Sequence, residues 1–262
     1  MNQQTQQSFK QEVQDFLRFL RQPRLSPRFP QQDLGHGWRT DWTNGLGVKR
    51  ILQWAALLWL VNITVFGPLA AAVATSVGAE HKLDFNNIPW KQAVLWAPLI
   101  EEMVFRYVLR RPSQFLWVLP VTIWCLFNGP QSVTVTVVLA VVLLLYFRPS
   151  VGSAKDSTFA AIALGKAWPR RWYKTYIRYF GWAFYGSTAL FAALHLYNFS
   201  FGQVAFWMLP LLILPQFVTG LVLAWLRIRR GIGASIILHA VFNAGPLLLI
   251  LSIVALMPEA GL

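Results

Sequence analysis

The sequence predicts an all-α fold: a polytopic membrane helix bundle of about seven transmembrane helices, with its N-terminus in the cytoplasm. Three observations carry that prediction. Of 262 residues, 56% are hydrophobic and only 13% are charged, an imbalance outside the range of ordinary soluble domains. Uncharged runs recur that approach the roughly 20 residues a bilayer core demands of a helix. The net charge of +13 is also sided, with 21 of the 23 Lys and Arg falling in alternate connections, as the positive-inside rule requires of cytoplasmic loops. Nucleic-acid binders of such charge are seldom this apolar, so no nucleic-acid partner is expected.

Residues 1–50 form a cytoplasmic, Gln-rich basic arm. Within it Phe9, Val13, Phe16, Leu17 and Leu20 recur at helical spacing. They predict a short surface helix, with a docking site for a protein partner as the sharper alternative. The polar N-terminus shows no cleavable signal peptide, so the apolar run from Ile51 serves as the first insertion signal. The bundle occupies residues 51–257, in seven runs: Ile51 to Ala79, Trp90 to Leu109, Ser113 to Phe127, Gln131 to Phe147, Tyr179 to Phe201, Gln203 to Leu226, and Ile232 to Met257. The third and fourth are short and are parted by Asn128-Gly129-Pro130, a turn signal that makes a helical hairpin.

The basic residues before Ile51, at the end of the second run (Arg106, Arg110 and Arg111), between Phe147 and Tyr179, and after Leu226 lie on one side of this arrangement, leaving the C-terminal tail (258–262) outside. Trp168-Pro169-Arg170-Arg171-Trp172-Tyr173-Lys174 mixes bases with aromatics, the composition of a segment in the headgroup layer, and the stretch 148–185 is read as interfacial. Membrane lipids are therefore expected partners. The lone Cys125 excludes an intramolecular disulfide and a cysteine zinc site, and reads as a small packed hydrophobe.

Ionisable groups inside a span cost about 2.5–3.5 kcal/mol each even on lenient scales, which makes each a functional candidate. Five stand in apolar runs: Glu101, Glu102 and Arg106 in one, His195 in another and His239 in the last. Glu102 and Arg106 are four residues apart and can pair. Glu101 lies about 100° round the helix and is left without that counter-charge, a setting that suits a general base. His239 shares a face with Asn243, and two donors aimed into one cavity meet the needs of a developing oxyanion. His195 shares a face with Phe191, whose ring can shape its pocket. A buried structural network is the alternative reading of the same polar groups.

The succession Glu-Glu-x-x-x-Arg (101–106), Phe-x-x-x-His (191–195) and His-x-x-x-Asn (239–243), with Gly220, Gly231 and Gly233 before the last, resembles the CPBP family over roughly residues 90–250. That family groups the CAAX prenyl endopeptidases with bacteriocin-processing and immunity-like (Abi) proteins. The resemblance implies an intramembrane glutamic endopeptidase acting on membrane-associated or lipid-modified polypeptides, with no cofactor. It implies Glu101 as the base that activates water, His195 as its helper, His239 and Asn243 as oxyanion donors, and Glu102 with Arg106 as a supporting pair. Tyr107 departs from the Gly found there in many members, which would narrow the adjacent cavity.

At about 1.5 Å per residue, Glu101 and His239 lie at matching depth below Arg110 and Arg230. His195 matches them only if residues 168–185 lie largely in the interface and its span begins near Gly186. Two other functions fit the same residues. One is a non-proteolytic scaffold or immunity-type protein. The other is a metalloprotease with zinc on Glu101, His195 and His239, although the tight His-Glu-x-x-His spacing is absent. Pigment or haem ligation by the two histidines is the remote remaining choice.

Overall fold

The computed structural model describes residues 7–25, 38–43, 47–82, 87–147, 169–202 and 206–256. Those residues are almost wholly helical. The 148–168 part of the interfacial stretch and the 258–262 tail lie outside them, as do stretches of the arm at 1–6, 26–37 and 44–46.

Helix α1 (Phe9–Arg21) opens on a reciprocal cap, in which Gln11 N–H donates to Ser8 Oγ (3.3 Å) and Ser8 N–H donates to Gln11 Oε1 (2.8 Å). Most of its apolar face packs inward. Phe9 and Phe16 meet the Trp54 ring edge-on at 5.3 and 5.9 Å, and Phe19 meets Phe184 at 5.1 Å. The amphipathic helix read from the sequence is therefore part of the bundle's own packing through Phe9, Val13, Phe16 and Leu20, while Leu17 is exposed. The short helix α2 (Trp38–Thr43) follows.

Helix α3 (Val48–Val77) is long and apolar enough to cross a membrane, as is the Ile232–Ser252 part of α10 (Ile232–Leu256). A third crossing is made if the segments Phe206–Leu212 and Leu214–Arg229 (α9), bent by 52°, count as one. Pro210 and Pro215 flank that bend, each lacking the N–H that a continuous helix would need. The hairpin helices α5 (Phe115–Asn128) and α6 (Ser132–Tyr146) have 14 and 15 residues. At about 1.5 Å per residue they fall short of an approximately 30 Å core. Seven helical segments thus correspond to the seven apolar runs, but two or three have the length and composition of a full span.

The hairpin turn is as the sequence predicts. Gly129 adopts φ +67°, a left-handed conformation open to glycine at little cost. Cys125 is buried in the cluster that joins α5 to Trp96, Ile100 and Val104.

Helix α4 (90–110) carries two π-helical turns, Gln92–Trp96 and Met103–Tyr107, on either side of the regular segment Ala97–Glu102. The first stands directly before Ala97-Pro98, just as the π turn of α3 (Asn62–Phe66) stands before Gly67-Pro68. In both, the wider turn relieves the clash of the proline ring with the carbonyl of the preceding turn.

Helix α7 (Arg170–Arg178) is the described part of the interfacial stretch, strongly amphipathic, with Trp172 and Tyr173 exposed. It ends at Tyr179, and α8 (Phe180–Leu194) begins at once. The break falls directly after the last base rather than near Gly186, because Gly181 and Gly186 are absorbed within the helix. After α8 the chain tightens into a 3-10 turn, His195–Asn198, and the pair β1 (Glu80–His81) and β2 (Phe199–Ser200) is antiparallel, with Glu80 opposite Ser200.

Candidate functional site

The five intramembrane ionisable groups converge where α4, α8, α9 and α10 pack together. Glu102 is fully buried, with an ion pair to Arg106 and hydrogen-bonding partners in His239 and Ser235. Arg106 Nη1 lies 3.3 Å from its Oε1, His239 Nδ1 lies 3.0 Å from the same oxygen, and the Ser235 hydroxyl donates to Oε2. The pair of Glu102 and Arg106 spans the junction between regular helix and π turn, still on facing sides.

Arg106 is itself wholly buried, and its guanidinium carbon sits 3.6 Å from the centroid of Phe191. Its guanidinium nitrogens make no hydrogen bond among the described residues. A cation–π contact of this closeness is strongest where water is excluded, and it supplements the Glu102 charge. Gly220 is what allows it. A Cβ there would lie 2.9 Å from Phe191 Cδ1 and 3.1 Å from Arg106 Nη2. The glycine read from the sequence as part of a family signature is thus a space for the arginine.

Glu101 presents a different picture. Its side chain is 12% exposed, and its Oε2 is buried without a hydrogen-bond partner among the described residues. His239 Nε2 faces it at 3.8 Å, beyond direct hydrogen bonding. His239 therefore bridges the two carboxylates, tied by Nδ1 to Glu102 and turned by Nε2 toward Glu101.

His195 pairs through Nδ1 with its own helix, at Phe191 O (2.9 Å), and its ring packs edge-on against Phe191 at 4.8 Å. The other side of that neighbourhood is His239, 5.8 Å from the same Phe191 ring. The charges of Glu101, His239 and Arg106 all fall within electrostatic reach of His195. Asn243, one turn beyond His239, donates through Nδ2 to Ala93 O (2.9 Å) in the first π turn of α4. One of its two amide protons is therefore engaged with the backbone. Among the described residues no three His, Cys, Asp or Glu side chains, the set Glu101, His195 and His239 weighed above included, stand together as metal ligands would.

Tyr107 points to neighbours other than the carboxylates. Its hydroxyl donates to Gln114 Oε1 (2.5 Å), and its ring lies against Trp42 and Arg227. Sequence reading missed Ser235, although it stands four residues before His239, as Asn243 stands four after, and the three-point period was legible. It also missed Arg227, which donates to the backbone of the same π turn.

Beside the site, an apolar cavity of about 560 Å³ lies between α4, α5, α7 and α8, with Phe105, Leu119, Trp172, Tyr176 and Leu190 in its wall. Phe105 contacts Phe191 ring to ring at 5.7 Å, which joins the cavity wall to the histidine pocket. Tyr176 donates its hydroxyl to Leu109 O (2.7 Å), and burial pushes its phenol up from the ordinary value.

A helical membrane protein that buries adjacent carboxylates, a guanidinium and an imidazole among apolar side chains, with a second imidazole half-buried beside them, is thereby defined, and comparison with known families gives it a place. The family model of type II CAAX prenyl endopeptidases, Rce1-like, matches residues 87–245, and the chain belongs to that family. The family is one of proteases, so at family level the protein is a hydrolase. Comparison with curated proteins and with solved structures returns no match.

Proposed function

We propose that the protein is an intramembrane endopeptidase of seven helical segments with a cytoplasmic N-terminus, and that Glu101 is its general base. The contrast between neighbouring glutamates carries this reading. Glu102 is saturated by Arg106, His239 and Ser235, whereas Glu101 Oε2 is buried and unpartnered a few ångströms from an imidazole. Separations of this size are commonly bridged by one water molecule.

In the proposed reaction Glu101 takes a proton from that water as its oxygen attacks the scissile carbonyl carbon. The tetrahedral oxyanion then accepts from His239 Nε2–H, in the imidazolium form, and from the second amide proton of Asn243. The protonated Glu101 next delivers its proton to the leaving amine, which breaks the C–N bond. His195 orients the water from the opposite wall. The reading calls for no metal. The substrate is a membrane-associated or lipid-modified polypeptide, which matches a site opening beside an apolar cavity.

The test is turnover of a lipid-modified peptide by purified protein in lipid nanodiscs. Glu101→Gln is expected to lower the rate by about 10²–10⁴, the worth of a positioned general base. Turnover at the wild-type rate would remove Glu101 from the mechanism.

A further inference from the structure

The family match begins at residue 87, yet the arm before it reaches into the matched core at one point of consequence. Asp41, on α2, is 2% exposed and accepts from Arg227 Nη1 at 2.6 Å. Arg227 is fully buried on α9, and its other two nitrogens each donate to backbone. Nε donates to Arg106 O and Nη2 to Tyr107 O, each at 3.1 Å. Both carbonyls belong to the π turn Met103–Tyr107 that directly follows Glu101 and Glu102. A π turn interrupts the regular i to i−4 ladder of its helix, and here a guanidinium fork holds two of its carbonyls.

The docking of α2 is built for this contact. Gly231 has φ +123°, and a Cβ on it would lie 2.5 Å from Asp41 O; a Cβ on Gly233 would overlap Trp42 O. Trp42 in turn lays its ring 6.3 Å from Tyr107, on the same π turn. The glycines that precede the last motif therefore serve the N-terminal segment, and only residues without a Cβ admit it so closely.

We infer that Asp41 and Arg227 are positioning residues, a strut from the N-terminal arm that fixes the π turn and with it the Glu101–Glu102 pair. Asp41 neutralises Arg227 in a buried setting, which lets the fork spend its other donors on carbonyls rather than on a competing acid. Its bearing on catalysis rests on the endopeptidase reading; the mechanical part does not.

Hydrogen exchange measured by mass spectrometry on the full chain in nanodiscs tests the strut without any substrate. Asp41→Asn should speed exchange in the Met103–Tyr107 turn by about tenfold or more, as expected of local opening when one charge-assisted hydrogen bond is lost. Exchange in α5 should be unchanged. Gly233→Ala should do the same by lifting α2, and Asp41→Glu should restore most of the protection. Asp15→Asn, which removes another arm contact at Arg229, should leave the turn as in wild type.

Unchanged exchange in both Asp41→Asn and Gly233→Ala, or equal acceleration in every helix, would overturn the strut. In protein that cleaves peptide, Asp41→Asn should lower kcat with KM held. An unchanged kcat beside a loosened turn would overturn the positioning role. If wild-type protein cleaves no lipid-modified peptide, the endopeptidase reading fails while the exchange result stands.

Discussion

The protein pairs acids with arginines in two places, at the arm and in the bundle, and treats them differently. In the arm, Glu12 uses both oxygens: Trp54 Nε1 donates to Oε2 at 3.1 Å, while Arg50 and Arg230 share Oε1. Asp15 likewise receives Trp225 Nε1 and Arg229 on its carboxylate. In the bundle Glu102 is equally saturated, but Glu101 is not. A carboxylate with both oxygens engaged is a fastener, and the chain has three. Glu101, whose Oε2 is buried without a hydrogen-bond partner among the described residues, is not held in that way.

The largest effect that would sharpen this comparison comes from Glu102→Ala. It strands Arg106 in a fully buried site, and thermal unfolding in detergent should show a loss of about 3–5 kcal/mol. Glu12→Gln should cost less, about 1.5–3 kcal/mol, since its arginines lie near the edge and the lost bonds are charge-assisted. Gly220→Ala should fall in a similar range, about 1–3 kcal/mol, through overpacking against Phe191 and Arg106. Ser235→Ala should cost about 1 kcal/mol, one hydrogen bond to Glu102. Glu101→Gln should leave the melting temperature close to wild type; a drop as large as that of Glu102→Ala would break the comparison and make both glutamates fasteners.

A pH effect, smaller still, comes from the interface. The Tyr176 phenol is raised in the folded protein from its ordinary value of 10.0, chiefly by burial. The folded state therefore holds that proton more tightly than the unfolded chain. Its contribution is intact below pH 10.0 and is lost as pH rises from there toward the folded value. Tyr176→Phe should flatten that part of the alkaline limb of an unfolding-versus-pH curve.

Much of the site was legible because its parts are periodic. Glu102 with Arg106, Phe191 with His195, and His239 with Asn243 each stand four residues apart, and helix geometry alone puts each pair on one face. The hairpin was legible from Asn128-Gly129-Pro130, and the arm helix from the spacing of Phe9, Phe16 and Leu20. What escaped depends on contacts between distant residues. Arg227 and Asp41 are 186 residues apart, and no local pattern announces such a pair. The destination of the α1 apolar stripe was equally hidden, since periodicity shows that a face is apolar and not what covers it.

The π turn at Met103–Tyr107 also sets a phase. It holds one residue more than a regular turn, so a given face of α4 recurs across it five residues on rather than four. Because the wide turn absorbs that residue locally, deleting one residue within it would restore an ordinary helix and leave the faces beyond almost where they are. Glu101 and Glu102 would keep their neighbours, while Arg106, for a deletion before it, would stand three residues from Glu102 instead of four. The turn is thus a joint where the length of α4 can change by one residue without turning the Glu101–Glu102 face away from its neighbours.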